Sequence, residues 1–131
     1  MFLFLQRIQK NKMVQKWTLC IQVKCCPNHG HATIEYVLRN NVLDEVIHKK
    51  REIHGTTTNN EAYYIALIEG IKTTKMYRAN GISVYTNSEL ICSQMKGIYQ
   101  VRKGNLKPLH VEARTIAAEF HFFTINHHFG Y

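Results

Sequence analysis

The sequence has no Cys-x-x-Cys pair, no acidic residue ahead of Glu35, no serine ahead of Trp17 and no apolar stretch of membrane-spanning length. Cys20, Cys25, Cys26 and Cys92 therefore fit neither a disulfide framework nor a zinc knuckle, and reduced thiols in an intracellular protein are expected. Met1 to Leu5 is apolar but too short for a signal-peptide core or a membrane span, which argues against secretion and against a membrane partner. An acid-free basic leader is compatible with an organelle presequence, but the lack of serine favours a disordered basic tail over residues 1–16, before a domain spanning 17–131, and cytoplasm or nucleus over an organelle. Internal repeats and low-complexity tracts are absent.

What is present fits one domain. The 131 residues, 45% apolar and 20% charged, can build a two-layer core but not two independent cores. Seventeen Lys plus Arg against nine Asp plus Glu give a formal charge of +8, which favours an anionic partner such as nucleic acid. Arg7, Lys10, Lys12, Lys16 and Lys24 all precede the first acid. A monomer is expected.

Trp17, Leu19, Ile21, Val23 and Cys25 alternate with polar or small residues, the period of a two-faced strand. Turn chemistry at Pro27-Asn28-His29-Gly30 and at Asn40-Asn41 separates it from two further strands, Ile34 to Leu38 and Val42 to Ile53. Three strands joined by short turns predict an antiparallel meander. Thr58, Asn59 and Asn60 then offer side-chain oxygens for the free amides of a helix, so the two asparagines have a capping role whatever else they do. Tyr63, Ala66, Leu67, Gly70, Ile71 and Thr74 give that helix its apolar stripe. Asn80-Gly81 breaks the chain before a β-branched run, Ile82 to Thr86, whose separation by a helix predicts parallel pairing. A short helix over 88–96, a basic glycine-punctuated connector over 96–107, a helix starting near Asn105 with Pro108 in its first turn, and a strand over 122–127 complete the chain.

This order of elements, with four local sequences, resembles the ribonuclease H-like fold: an α/β domain whose mixed sheet of five strands has three antiparallel strands followed by parallel ones. Trp17-Thr18-Leu19-Cys20-Ile21-Gln22 leading into Asn28-His29-Gly30 is similar to the family's first strand and its Asn-Pro-Gly turn. Thr58-Asn59-Asn60-Glu61-Ala62 is similar to its Thr-Asn-Asn helix start. Val84 to Leu90, with Gln94 to Gly97 and Val101 to Leu109, resembles its fourth strand and connector, and Ile125-Asn126-His127 its last strand. The nearest likeness is to the type I-like domains of plants, prokaryotes and retroelements. The resemblance implies hydrolysis of the RNA strand of RNA–DNA hybrids by two Mg2+ ions held on four carboxylates.

Carried over position by position, the resemblance implies a loss. The first-strand Asp falls on Gln22, the helix Glu on Tyr63 and the fourth-strand Asp on Asn87, while the last Asp belongs to a segment beyond Tyr131. Glu61 lies two residues before Tyr63, hence about 200° around a helix from it, and is no simple substitute. No catalytic residue, metal site or cofactor is expected from this pattern. Tyr63 is expected to plug the emptied site from the core. Binding is the property expected to survive: Asn28, Asn59 and Asn60 resemble residues that contact hybrid backbone and sugars, and Lys96, Arg102, Lys103 and Lys107, with Tyr99 among them, are placed to hold phosphates.

Plainer readings stand beside these. The connector also fits a solvated loop, and His48-Lys49-Lys50-Arg51 an exposed strand end. Cys25, Cys26, His29 and His31 match no common zinc spacing. His127-His128 resembles a family histidine near the active site, without a metal to serve. The leading expectation is a nucleic-acid-binding domain without catalysis. One alternative is an RNA–DNA hybrid ribonuclease using Mg2+ with Glu61 or Glu89 rebuilding the site; another is an interaction module or decayed gene copy.

Overall fold

The computed structural model describes residues 15–26, 31–40, 42–43, 45–55 and 57–128, except the side chains of Cys25 and Cys26. Their elements are β1 (Lys16–Cys26), β2 (His31–Asn40), β3 (Glu45–Ile53), α1 (Asn59–Met76), β4 (Gly81–Thr86), α2 (Glu89–Met95), α3 (Lys107–Ala117) and β5 (Phe122–His127). The sheet order is β3-β2-β1-β4-β5. β1, β2 and β3 pair antiparallel, as the meander predicts, and β4 and β5 join in parallel. The third strand starts later than its apolar run implies, because the buried Asn40 turns the chain first. Its Oδ1 accepts the amides of Val42 at 3.0 Å and Leu43 at 3.2 Å, consuming those residues in the turn.

Alternation along the strands sorts the sheet into two unlike faces. Trp17, Leu19 and Ile21 are buried with Ile34, Tyr36, Leu38, Ile82, Val84 and Ile125, and the buried residues of all three helices join them in one core. The opposite face carries Thr18, Cys20, Gln22, Glu35, Val37, Arg39 and His48, polar or half-exposed residues that line an open groove. Among the described residues no helix covers that face. Burial raises the Cys20 thiol above its ordinary range, and nearby Arg39 pulls the other way.

α1 is the hub, packing on β1, β2 and α3. Its predicted stripe is fully buried, but so are Ala62, Tyr64 and Ile68, because the helix is enclosed by the sheet on one side and by α3 on another. Gly70 lets α1 approach β1 closely: a Cβ there would stand 2.7 Å from both Leu19 methyls. The capping expectation for Asn59 and Asn60 is corrected. Thr58, extended at φ −74° and ψ 159°, is the cap; its hydroxyl accepts the Glu61 amide at 3.2 Å while Glu61 Oε1 accepts the Thr58 amide at 3.2 Å. Asn59 and Asn60 lie inside the first turn instead, since only an extended residue can fold its side chain back over the free amides. At the other end the helix stops at Met76, ahead of the predicted Asn80-Gly81 break, with Arg78 taking the left-handed turn at φ 60°.

Candidate nucleic-acid interface

Two of the three positions singled out for missing carboxylates are bonded to each other. Tyr63 comes from the second turn of α1 and Asn87 from just beyond β4, and the Tyr63 hydroxyl donates to Asn87 Oδ1 at 2.5 Å. Tyr63 is only 6% exposed, so its ring fills the space between helix and sheet while its polar end reaches the rim. His127 completes the group from the end of β5, with Nε2 3.3 Å from the Asn87 carbonyl oxygen. Gln22 stands just past the middle of β1, paired in register with Glu35 on β2. It lines the groove of the helix-free face, which includes neither Tyr63 nor Asn87.

Neither alternative acid points into a metal site. Glu61 Oε1 also takes the Thr58 hydroxyl at 3.0 Å. Burial alone would raise the Glu61 carboxyl, but the bonds from Thr58 and one from the Asn105 side chain outweigh it and hold the group below its ordinary value. Glu89 Oε1 accepts the Tyr99 hydroxyl at 3.3 Å. Among the described residues, no group of three or more His, Cys, Asp and Glu side chains converges as a metal site.

Those two acids instead anchor the basic connector. Asn105, at its end, stands close enough to Glu61 in the first turn of α1 to lower that carboxyl, and the bond between Tyr99 and Glu89 ties its middle to the first turn of α2, two residues after Asn87. The connector therefore flanks the helix start carrying Asn59 and Asn60 and the rim carrying Asn87. Lys96, Arg102, Lys103 and Lys107 are exposed, and none pairs with an acid among the described residues. The last helix starts close to Asn105 and with Pro108 in its first turn, as the sequence implies: α3 begins at Lys107 after Leu106, without a side-chain cap, following a turn in which the Leu106 amide donates to the Lys103 carbonyl at 3.0 Å. Asn28, His29 and the side chains of Cys25 and Cys26 lie outside the described residues; His31 faces His54 with ring centroids 6.1 Å apart.

A second polar group, which spacing alone does not reveal, lies among the helices. Tyr64, fully buried, donates to Gln94 Oε1 at 2.6 Å, and His110 Nδ1 lies 3.1 Å from the same hydroxyl. Burial pushes the Tyr64 phenol up to about 12 and, with Arg114 adding repulsion, lowers His110 below its ordinary value. This group joins α1, α2 and α3. Its one sequence signal is an aromatic residue beside the predicted apolar stripe.

A family model described as reverse transcriptase-like matches residues 21–129. The bifunctional protein Rv2228c of Mycobacterium tuberculosis is 32% identical over 75 residues, which cover 57% of this chain and 21% of that protein. The chain thus spans about a fifth of the length of the curated relatives it matches, an uncharacterized Mycobacterium bovis protein among them. Among solved structures, the N-terminal RNase H domain of Rv2228c superposes with a TM-score of 0.78 at 26% identity, over 86% of this chain and 81% of that one. LC11-RNase H1, in complex with an RNA/DNA hybrid, gives 0.74 at 28% identity, over 84% and 83%. RNase H1 of the halophilic archaeon Halobacterium salinarum gives 0.77 at 23% identity, over 85% and 83%, a likeness of fold.

Proposed function

The chain belongs to the reverse transcriptase-like family and has the ribonuclease H-like fold, and on that premise we propose that it binds nucleic acid, with an RNA–DNA hybrid as the favoured ligand, and does not cleave it. The hydrogen bond between Tyr63 and Asn87 carries this reading. At the positions where the resemblance expects carboxylates, the donor set is a phenol already bonded to an amide, and a second amide at Gln22. Mg2+ takes hard, mostly anionic oxygens and gives up its water reluctantly, so this neutral set does not suit it. A ribonuclease rebuilt around Glu61 and Glu89 has less support, because both side chains serve the helix start and the connector.

Binding is supported by position and by charge. Lys96, Arg102, Lys103 and Lys107 form an exposed basic stretch, and the exposed Asn59 and half-buried Asn60 lie in the first turn of α1. LC11-RNase H1, a relative by structure, is seen with an RNA/DNA hybrid. Asn28 is assigned to the same interface on the resemblance alone. Phosphates drawn to four cations release counterions on binding, with a log–log salt slope of about −3.6 on a B-like duplex. Fluorescence anisotropy of a labelled hybrid across a salt series tests this directly. Replacing Lys103 and Lys107 with Glu is expected to weaken binding and flatten the slope by at least about 0.9 per lost contact; wild-type affinity indifferent to salt would sink the assignment.

A further inference from the structure

The connector carries more than charge. Ile98 is 68% exposed and Tyr99 44% exposed at its first bend, an apolar pair placed among cations. The bend is held, not loose. Gly97, at φ +78°, reverses the chain out of α2, its amide donating to the Gln94 carbonyl at 3.1 Å. The amides of Ile98 and Tyr99 then both donate to the Ser93 carbonyl, at 2.8 and 3.1 Å. The Tyr99 hydroxyl reaches back to Glu89 at the start of the same helix, so the ring is fixed at its backbone and at its tip while much of it stays in solvent. Lys96 lies three residues before this ring and Arg102 and Lys103 follow it closely, none with an acidic partner among the described residues.

We propose that Ile98 and Tyr99 form a stacking platform for an unpaired base, so that the connector selects nucleic acid with a single-stranded segment over a fully paired duplex. Inside a duplex each base shows only its edges, because both faces are covered by neighbours. An unpaired base has a free aromatic face, and its backbone phosphates bring the negative charge that the flanking cations complement. An aromatic ring held in advance loses little freedom on stacking, and the bond to Glu89 supplies that preorganisation. An acidic protein partner would match the cations too but gives no use for a flat ring fixed at both ends.

This inference rests on the nucleic-acid reading above and can fail separately from it. The test is fluorescence anisotropy at one salt concentration with a blunt RNA–DNA hybrid and the same hybrid bearing a single-stranded overhang. Wild-type protein is expected to bind the overhang probe more tightly, by about tenfold for one stacked base. Tyr99→Ala is expected to remove that gain and to weaken blunt-hybrid binding far less, whereas Tyr99→Phe, which keeps the ring and loses the Glu89 bond, retains most of it. Equal affinity of wild-type protein for both probes, a gain that survives Tyr99→Ala, or an equal loss on both probes overturns the platform while leaving hybrid binding intact. Failure to bind either probe overturns the nucleic-acid reading itself, and with it this inference.

Discussion

At the scale of single residues, the proposed function turns on the residue at position 63. A carboxylate at position 63, almost entirely buried, would need a counterion, whereas a phenol needs only one hydrogen-bond partner and finds it in Asn87. We therefore expect the melting temperature of the wild-type protein to be the same in Mg2+ as in EDTA. The Tyr63→Glu, Asn87→Asp double variant should melt lower in EDTA and recover part of that loss when Mg2+ is added; wild-type stabilisation by Mg2+ would contradict the account. The Tyr64 group makes a second prediction. Tyr64→Phe leaves the buried Gln94 amide without its donor and should cost about 1–3 kcal/mol in urea unfolding. His110 supplies a pH signature of known sign. Its folded pKa lies below the ordinary 6.5 through burial and Arg114, so the unfolded chain takes up the proton first. Stability should be full above pH 6.5, fall as pH drops from 6.5 to the folded value, and level off below it; urea midpoints across that range in wild-type and His110→Gln protein check it, the variant losing this component.

Among the elements, α1 sets the geometry of the interface, and its start depends on one residue. Thr58→Ala removes the hydroxyl cap and one side of the exchange with Glu61, with an expected cost of about 1 kcal/mol in urea unfolding. No loss would mean that tertiary packing alone fixes the helix start. The elements themselves were legible in the sequence because burial of one face imposes a period: two on β1 from Trp17 to Ile21, and three to four on α1 from Tyr63 to Thr74. Position within an element was less legible. Asn59 and Asn60 have the chemistry of caps but stand one turn-step too late, and only the extended backbone of Thr58 decides which of three adjacent polar residues caps. Contacts between elements were illegible. Tyr63 meets Asn87 across 24 positions of sequence because the fold brings the second turn of α1 to the end of β4, which no local pattern encodes.

Over the whole molecule, the charge of +8 is distributed unevenly once contacts are counted. Glu35, Glu52, Glu69, Glu112 and Glu119 each face a histidine, arginine or lysine, and Glu61 and Glu89 are taken by Thr58 and Tyr99. The paired cations include Arg51, Lys72 and Lys75 on β3 and α1, while Lys96, Arg102, Lys103 and Lys107 of the connector are in no ion pair among the described residues, nor are Arg39, Lys49 and Lys50 on the sheet. On the proposed function, an anionic ligand is drawn to the connector and meets the hydrogen-bonded pair of Tyr63 and Asn87. The most direct measurement of this account is a titration of the protein into a hybrid labelled on its RNA strand, in Mg2+, with each sample resolved on native and denaturing gels. A complex is expected to form on the native gel and to dissolve as salt rises, with the RNA strand at full length throughout. RNA fragments that accumulate with time, and vanish in EDTA, would contradict it.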